Sequence, residues 1–163
     1  MIICGYDLIM YDEKMKKELN DFKDTIEKVE FSIFSIRRFI QTYPGLAWIK
    51  KYDSNTDNFI MIELSDVYLS LLINDGKKEY LNSSDDEIWP KDVAEEFKKN
   101  DLKAMLEGKI RVKERFYSPA TKVFGCFEGW KWSFMLNNTV YIAGIGELLS
   151  PALDETEFMK RGE

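Results

Sequence analysis

The stretch WKWSFMLNNTVYIA, residues 130–143, reads as a β-hairpin. Trp130, Trp132, Phe134 and Leu136 alternate onto one face, Asn137-Asn138 supplies a two-residue turn, and Val140 and Ile142 follow on the return strand. Asparagine tolerates the positive φ that tight hairpin turns require, so the pairing is local and antiparallel. The same period of two runs upstream through residues 109–117, a Ser118-Pro119 turn and residues 122–128. A second strand-like block lies earlier, at residues 46–52, 59–64 and 67–73, separated by SNTDN and by Ser65-Asp66. Asn74-Asp75-Gly76 then turns the chain into residues 78–81, completing a predicted meander.

Helical patterning flanks these blocks. Residues 90–107 offer Val93, Ala94, Phe97, Leu102, Met105 and Leu106 to a core and end at Gly108, with Asn100-Asp101 as a point of division where Asp101 caps a second turn. Residues 12–43 carry Met15, Leu19, Phe22, Ile26, Val29, Ile33, Ile36, Ile40 and Tyr43 at steps of three and four, an amphipathic helical stripe stopped by Pro44-Gly45. Over that length a helix would reach about 48 Å, whereas a compact chain of this size is only about 39 Å across. It therefore breaks or bends near residues 30–32, projects to form a homodimer through residues 12–43, or gives way to a strand at 29–37. Grouping of helices and strands in blocks, without single alternation, predicts an α+β fold with antiparallel sheet. The long N-terminal amphipathic helix packs on one strand set, and a second helix mid-chain precedes the other. The 163 residues suit one domain, 1–163, with a possible subdomain seam at the polar segment 82–90.

Composition narrows the chemistry. There is no histidine, which removes the commonest general base, zinc ligand and partner of a nucleophilic Ser or Cys. Cys4 and Cys126 stand far apart with no CxxC spacing, so no metal site, redox pair or cofactor is predicted. Asp85-Asp86-Glu87 lacks the spacing of a calcium loop, and Gly144-Ile145-Gly146 lacks the third glycine of a dinucleotide loop. No segment has the apolar length of a membrane span and the first residues lack a basic secretion signal, which together predict a cytoplasmic protein; the missing histidine and the lack of a catalytic motif predict one that is not an enzyme.

Charge is uneven. Residues 82–108 hold four Lys against eight acids, a net of -4, whereas residues 109–131 hold six Lys and Arg against two Glu, a net of +4. In the basic block Lys109, Arg111, Lys113 and Arg115 occupy every second position, and on a strand they line one face. With Lys122, Lys131, Trp130 and Trp132 nearby they form a candidate anion site, or simply a solvated, aggregation-resistant face. In the acidic block Asp85, Asp86, Glu87, Asp92, Glu95 and Glu96 surround Trp89, a charged rim about an aromatic anchor. With a net charge of -6 the chain disfavours duplex nucleic acid. The residues thus point first to a protein-binding domain, an acidic inhibitor or immunity-type, anti-defence antagonist that blocks a basic, nucleic-acid-handling partner. The alternative is a protein binding a small anionic or nucleotide-like ligand through the basic strand and the aromatic cluster Phe124, Phe127, Trp130, Trp132 and Phe134.

Overall fold

The computed structural model describes residues 17, 20–21, 32–70, 80–119 and 121–152, with side chains up to residue 149. It contains two compact units, Met1–Ile36 and Arg37–Glu163, and the seam expected at 82–90 lies inside the second. Most of the proposed 12–43 helix, and with it the surface for a homodimer, lies outside the described residues; residues 32–42 are helical and form α1.

Five antiparallel strands make one sheet: β1 (Leu46–Asp53), β2 (Asn58–Leu64), β3 (Lys109–Ser118), β4 (Val123–Leu136) and β5 (Thr139–Ala152), in the order β2-β1-β5-β4-β3. Between β2 and β3 the chain passes through the helical turns α2 (Asp66–Tyr68) and α3 (Asp85–Ile88) and the 17-residue helix α4 (Lys91–Glu107). The two predicted strand sets are therefore one sheet, joined where β1 pairs with β5 in register Leu46↔Gly146 to Lys51↔Tyr141. The α+β class and the antiparallel sheet are as the sequence pattern implies.

Three local expectations are corrected. A strand was expected over 67–73, but in its described part, 67–70, Ser65 and Asp66 start a helix: the Ser65 hydroxyl accepts from the Tyr68 amide at 3.2 Å, capping α2; residues 71–79, with the expected Asn74-Asp75-Gly76 turn and the start of the 78–81 strand, lie outside the described residues. Residues 122–128 and 130–136 are one strand, because Gly129 does not break it. Gly129 faces Gly146 on β5, and a Cβ there would stand 2.2 Å from the Ile145 carbonyl oxygen, so glycine allows two backbones to approach. Finally α4 runs unbroken through Asn100-Asp101, whose side chains turn inward and do not cap.

α4 covers one face of the sheet. Val93, Ala94, Phe97, Asp101 and Ala104 recur at helical spacing on its buried side, meeting Leu46, Trp48, Ile110, Val112, Phe116 and Phe127 in the core. The β2 edge is closed by residues 82–84, through Met61 N–H to the Ser83 carbonyl at 2.9 Å and Asn82 N–H to the Met61 carbonyl at 2.8 Å. The β4–β5 hairpin turns through Asn137 and Asn138 at φ 48° and 58°, the left-handed backbone asparagine tolerates.

Candidate functional site

Between α4 and the sheet lies a chain of buried charges. Lys50 on β1 donates to Asp101 on α4 at 2.7 Å and to Asp85 on α3. Lys131 on β4 donates to the other oxygen of Asp101 at 2.7 Å and pairs with Glu114 on β3 at 2.6 Å. Asn100 on α4 donates to Glu114 at 2.9 Å. At the other end the Tyr80 hydroxyl donates to Asp85 at 2.6 Å and accepts from the Trp89 indole at 2.7 Å. Every one of these five charged residues is buried. The ammonium groups also lie against aromatic rings, Lys50 5.8 Å from the Phe97 centroid and Lys131 5.6 Å from those of Trp48 and Phe97.

The electrostatics follow from burial set against these partners. Burial alone would drive a lysine toward its neutral form, but the paired carboxylates outweigh it and hold both Lys50 and Lys131 above the ordinary lysine value. Asp101, held between two ammoniums, stays below the usual carboxylate range despite its burial. Glu114 goes the other way, since burial and the Asp101 charge outweigh its single cationic partner and raise its pKa. Burial and the Asp85 charge likewise raise the hydroxyls of Tyr68 and Tyr80 well above the ordinary tyrosine value.

Beside this network is a cavity of about 20 Å³ lined by Leu46, Trp48, Lys50, Tyr68, Phe97, Glu114, Phe116, Phe127 and Lys131. That is room for about one water molecule. The Trp48 indole N–H, in a residue 5% exposed, has no hydrogen-bond partner. An unmet donor in a buried wall normally marks the place of a bound polar atom.

The structure divides the residues singled out in the sequence. Of the acidic set, Asp85 is committed to Lys50 and Tyr80, and Trp89 is buried against Tyr80, Phe97 and Phe116. Asp86 accepts from Asn58 at 3.0 Å, and Glu87 closes a capping box with Ser84. Asp92, Glu95 and Glu96 are exposed on the first turns of α4. The expected rim therefore has no exposed aromatic anchor. Of the basic set, Lys109, Arg111 and Lys113 are exposed and Arg115 half-buried along β3, facing away from α4 together with Trp130 and Trp132. Lys109 lies 4.4 Å from the Trp130 ring centre, and Arg111 is bound to Glu128 at 2.6 Å. Lys122 sits in the turn between β3 and β4, eight residues and thus ~27 Å along the strand from Trp130. Lys131 points to the opposite face and belongs to the buried network, and Phe127 belongs to the core, so the proposed aromatic cluster is split between two faces.

The sequence matches no protein-family model and no curated protein. Solved structures do match. A PAS domain of an HTR-like protein from Haloarcula marismortui superposes with a TM-score of 0.50 at 15% identity, over 78% of this chain and 99% of that one. A PAS domain from Colwellia psychrerythraea gives 0.51 at 9% identity, over 70% and 95%. The fold is PAS-like. That likeness overturns the reading as an acidic inhibitor or antagonist: the neighbours are PAS domains, and two members of the supposed docking rim, Asp85 and Trp89, lie in the interior. No helix among the described residues is long and apolar enough to cross a membrane.

The network is not foreshadowed by any motif in the sequence. The signal was present, as charged residues in apolar phase: Asp101 four positions after Phe97 on α4, and Glu114 between Val112 and Phe116 on β3.

Proposed function

We propose that this chain is a non-catalytic sensory domain that binds a small ligand between α4 and the inner face of the sheet. One observation carries the reading: a buried cavity whose wall includes an indole donor with nothing to donate to, beside two fixed ammonium groups and a carboxylate. PAS-like neighbours support both parts of it, since such domains are typically ligand-binding and non-catalytic. The small-ligand reading of the sequence is kept, but its site moves inward from the β3 face. There Arg111 is already neutralised by Glu128, and the open face offers little enclosure for a small molecule.

The test is thermal melting of the protein against a panel of small polar molecules. A ligand at 100 times its Kd adds about 2.7 kcal/mol, a rise of roughly 5–10 °C for a chain of this size. Trp48→Phe removes the N–H and keeps most of the ring, so the rise shrinks in that variant. A rise of equal size in Trp48→Phe places the ligand elsewhere, and no rise with any member of a broad panel removes the reading.

A further inference from the structure

The two edges of the sheet are built differently. Residues 82–84 close the β2 edge, whereas β3 ends the sheet on the other side. Two bonds set the phase of the β3 backbone. Ser133 N–H donates to the Gly108 carbonyl at 2.8 Å, and at the far end Lys122 N–H donates to the Ser118 carbonyl at 2.8 Å. Between them the register runs from Lys109↔Trp132 to Ser118↔Val123 without a shift. In an antiparallel ladder successive residues direct their N–H and C=O groups alternately to one neighbour and to the opposite side. Ile110, Val112, Glu114 and Phe116 therefore bond to β4, and Lys109, Arg111, Lys113, Arg115 and Tyr117 direct their backbone groups out of the sheet edge. At Lys109, Arg111 and Tyr117 those groups meet no backbone partner among the described residues.

Four of these five residues carry a cation on the face turned away from α4, and the one acid of the strand, Glu114, is buried on the other face. A strand added at this edge pairs directly with them, at about 5.5 Å between Cα atoms, and sets every second side chain beside a cation. Contacts within the chain leave capacity for that: Arg111 makes one bond to Glu128 with a guanidinium that has further N–H donors, and Lys109 meets Trp130 through the ring face. A second copy of this chain is a poor occupant, because antiparallel pairing of β3 with itself sets cation against cation. We infer that the β3 edge takes an extended acidic segment of a partner protein as an additional strand, with Asp or Glu at alternate positions opposite Lys109, Arg111, Lys113 and Arg115. Backbone bonds hold the segment, and the alternation of charge selects it. This edge is separate from the interior ligand site and does not depend on it.

The probes are synthetic peptides of about eight residues, the length that spans 109–116 at the strand rise, titrated into the ¹⁵N-labelled protein at low ionic strength. In the first, Glu alternates with Thr. The second has Lys in place of Glu, and the third is the first with its Glu amides N-methylated, which removes the donors that meet β3. The Glu peptide is expected to shift the backbone amide resonances of Lys109, Arg111 and Tyr117 saturably, slow their hydrogen exchange at least tenfold, and weaken as salt is raised. The Lys and N-methylated peptides are expected to bind at least tenfold more weakly. In the double variant Lys109→Glu with Arg111→Glu the order of the Glu and Lys peptides reverses. Equal binding of the Glu and Lys peptides to the unsubstituted protein overturns the acidic class of partner. Equal binding of the N-methylated peptide, or shifts confined to the Trp130 and Trp132 indoles, overturns strand addition. No shift with the Glu peptide at millimolar concentration, or a single-stranded oligonucleotide that binds the same residues more tightly, overturns the proposal as a whole.

Discussion

Replacing Lys131 by methionine tests whether the interior network is one coupled unit. The ammonium is 1% exposed and bound to Asp101 at 2.7 Å and Glu114 at 2.6 Å. Methionine fills a similar volume, so packing is nearly conserved, but two carboxylates lose a partner. Asp101 keeps Lys50 at 2.7 Å, and Glu114 is left with the neutral amide of Asn100. Removing one member of a buried ion pair typically costs about 3–5 kcal/mol, mainly from the charge stranded in low dielectric. Against a total stability of about 5–15 kcal/mol that is a third or more. Urea unfolding followed by tryptophan fluorescence reads it as a midpoint lower by about 1.5–3 M at unchanged slope. The double variant Lys131→Met with Glu114→Gln locates the cost. With the stranded carboxylate neutralised, about 1–3 kcal/mol should return. A loss below about 1 kcal/mol in Lys131→Met, or a double variant no more stable than the sum of the single effects, refutes the account of a coupled, desolvated network.

Glu114 also makes stability pH-dependent with a definite sign. Its folded pKa lies above the ordinary value of 4.5, so the folded state holds the proton more tightly; the contribution is fully present below pH 4.5 and is lost as pH rises through the folded pKa. Melting temperatures across that window should fall with rising pH in the natural sequence, and the slope should flatten in Glu114→Gln. Asp101, shifted downward, works oppositely: its contribution is present above the ordinary aspartate value of 3.8 and is lost as acid takes the pH through the lower folded pKa. Gly144→Ala should destabilise by about 1–3 kcal/mol and shift the Trp48 emission, because a Cβ at that position would stand 2.3 Å from the indole ring that walls the cavity; an unchanged midpoint and spectrum would remove Gly144 as the support of that wall. Asn138→Gly should stabilise by about 0.5 kcal/mol, since residue 138 already holds φ at 58°; a lower urea midpoint would contradict the turn assignment.

What the sequence made legible is what local periodicity encodes. The Asn137-Asn138 hairpin, the alternation of Lys109, Arg111, Lys113 and Arg115 with inward Ile110, Val112 and Phe116, and the extent of α4 follow from neighbours a few positions apart. The charge pairs of the interior network and the Asn100–Glu114 bond join residues 14 to 51 positions apart, and no local pattern specifies those pairs. The network also reverses a simple hydropathy reading. In Trp130-Lys131-Trp132 the lysine goes in and Trp130 stays 43% exposed, because Asp101 and Glu114 supply buried partners that only the folded chain brings together. Residues 67–73 misled for a related reason. Their β-branched and aromatic content favours a strand, and the competing signal, a Ser-Asp helix start, decided residues 65–68.

The network is a poor device for stability alone. A buried ion pair set against well-packed apolar residues of equal volume is often neutral or unfavourable, so its physical effect has to be sought in what it positions. Here one turn of α4 reaches three strands: Asp101 holds Lys50 of β1 and Lys131 of β4, while Asn100 reaches Glu114 of β3. Those bonds fix where the helix sits on the sheet. A ligand in the cavity proposed as the binding site would lie against Lys50, Glu114 and Lys131, the residues through which α4 is held. A ligand can shift a conformational equilibrium only by its differential affinity for the two states. At this site that difference would be felt by the contacts that seat the helix, so the proposed binding would act on helix position through Lys50, Glu114 and Lys131.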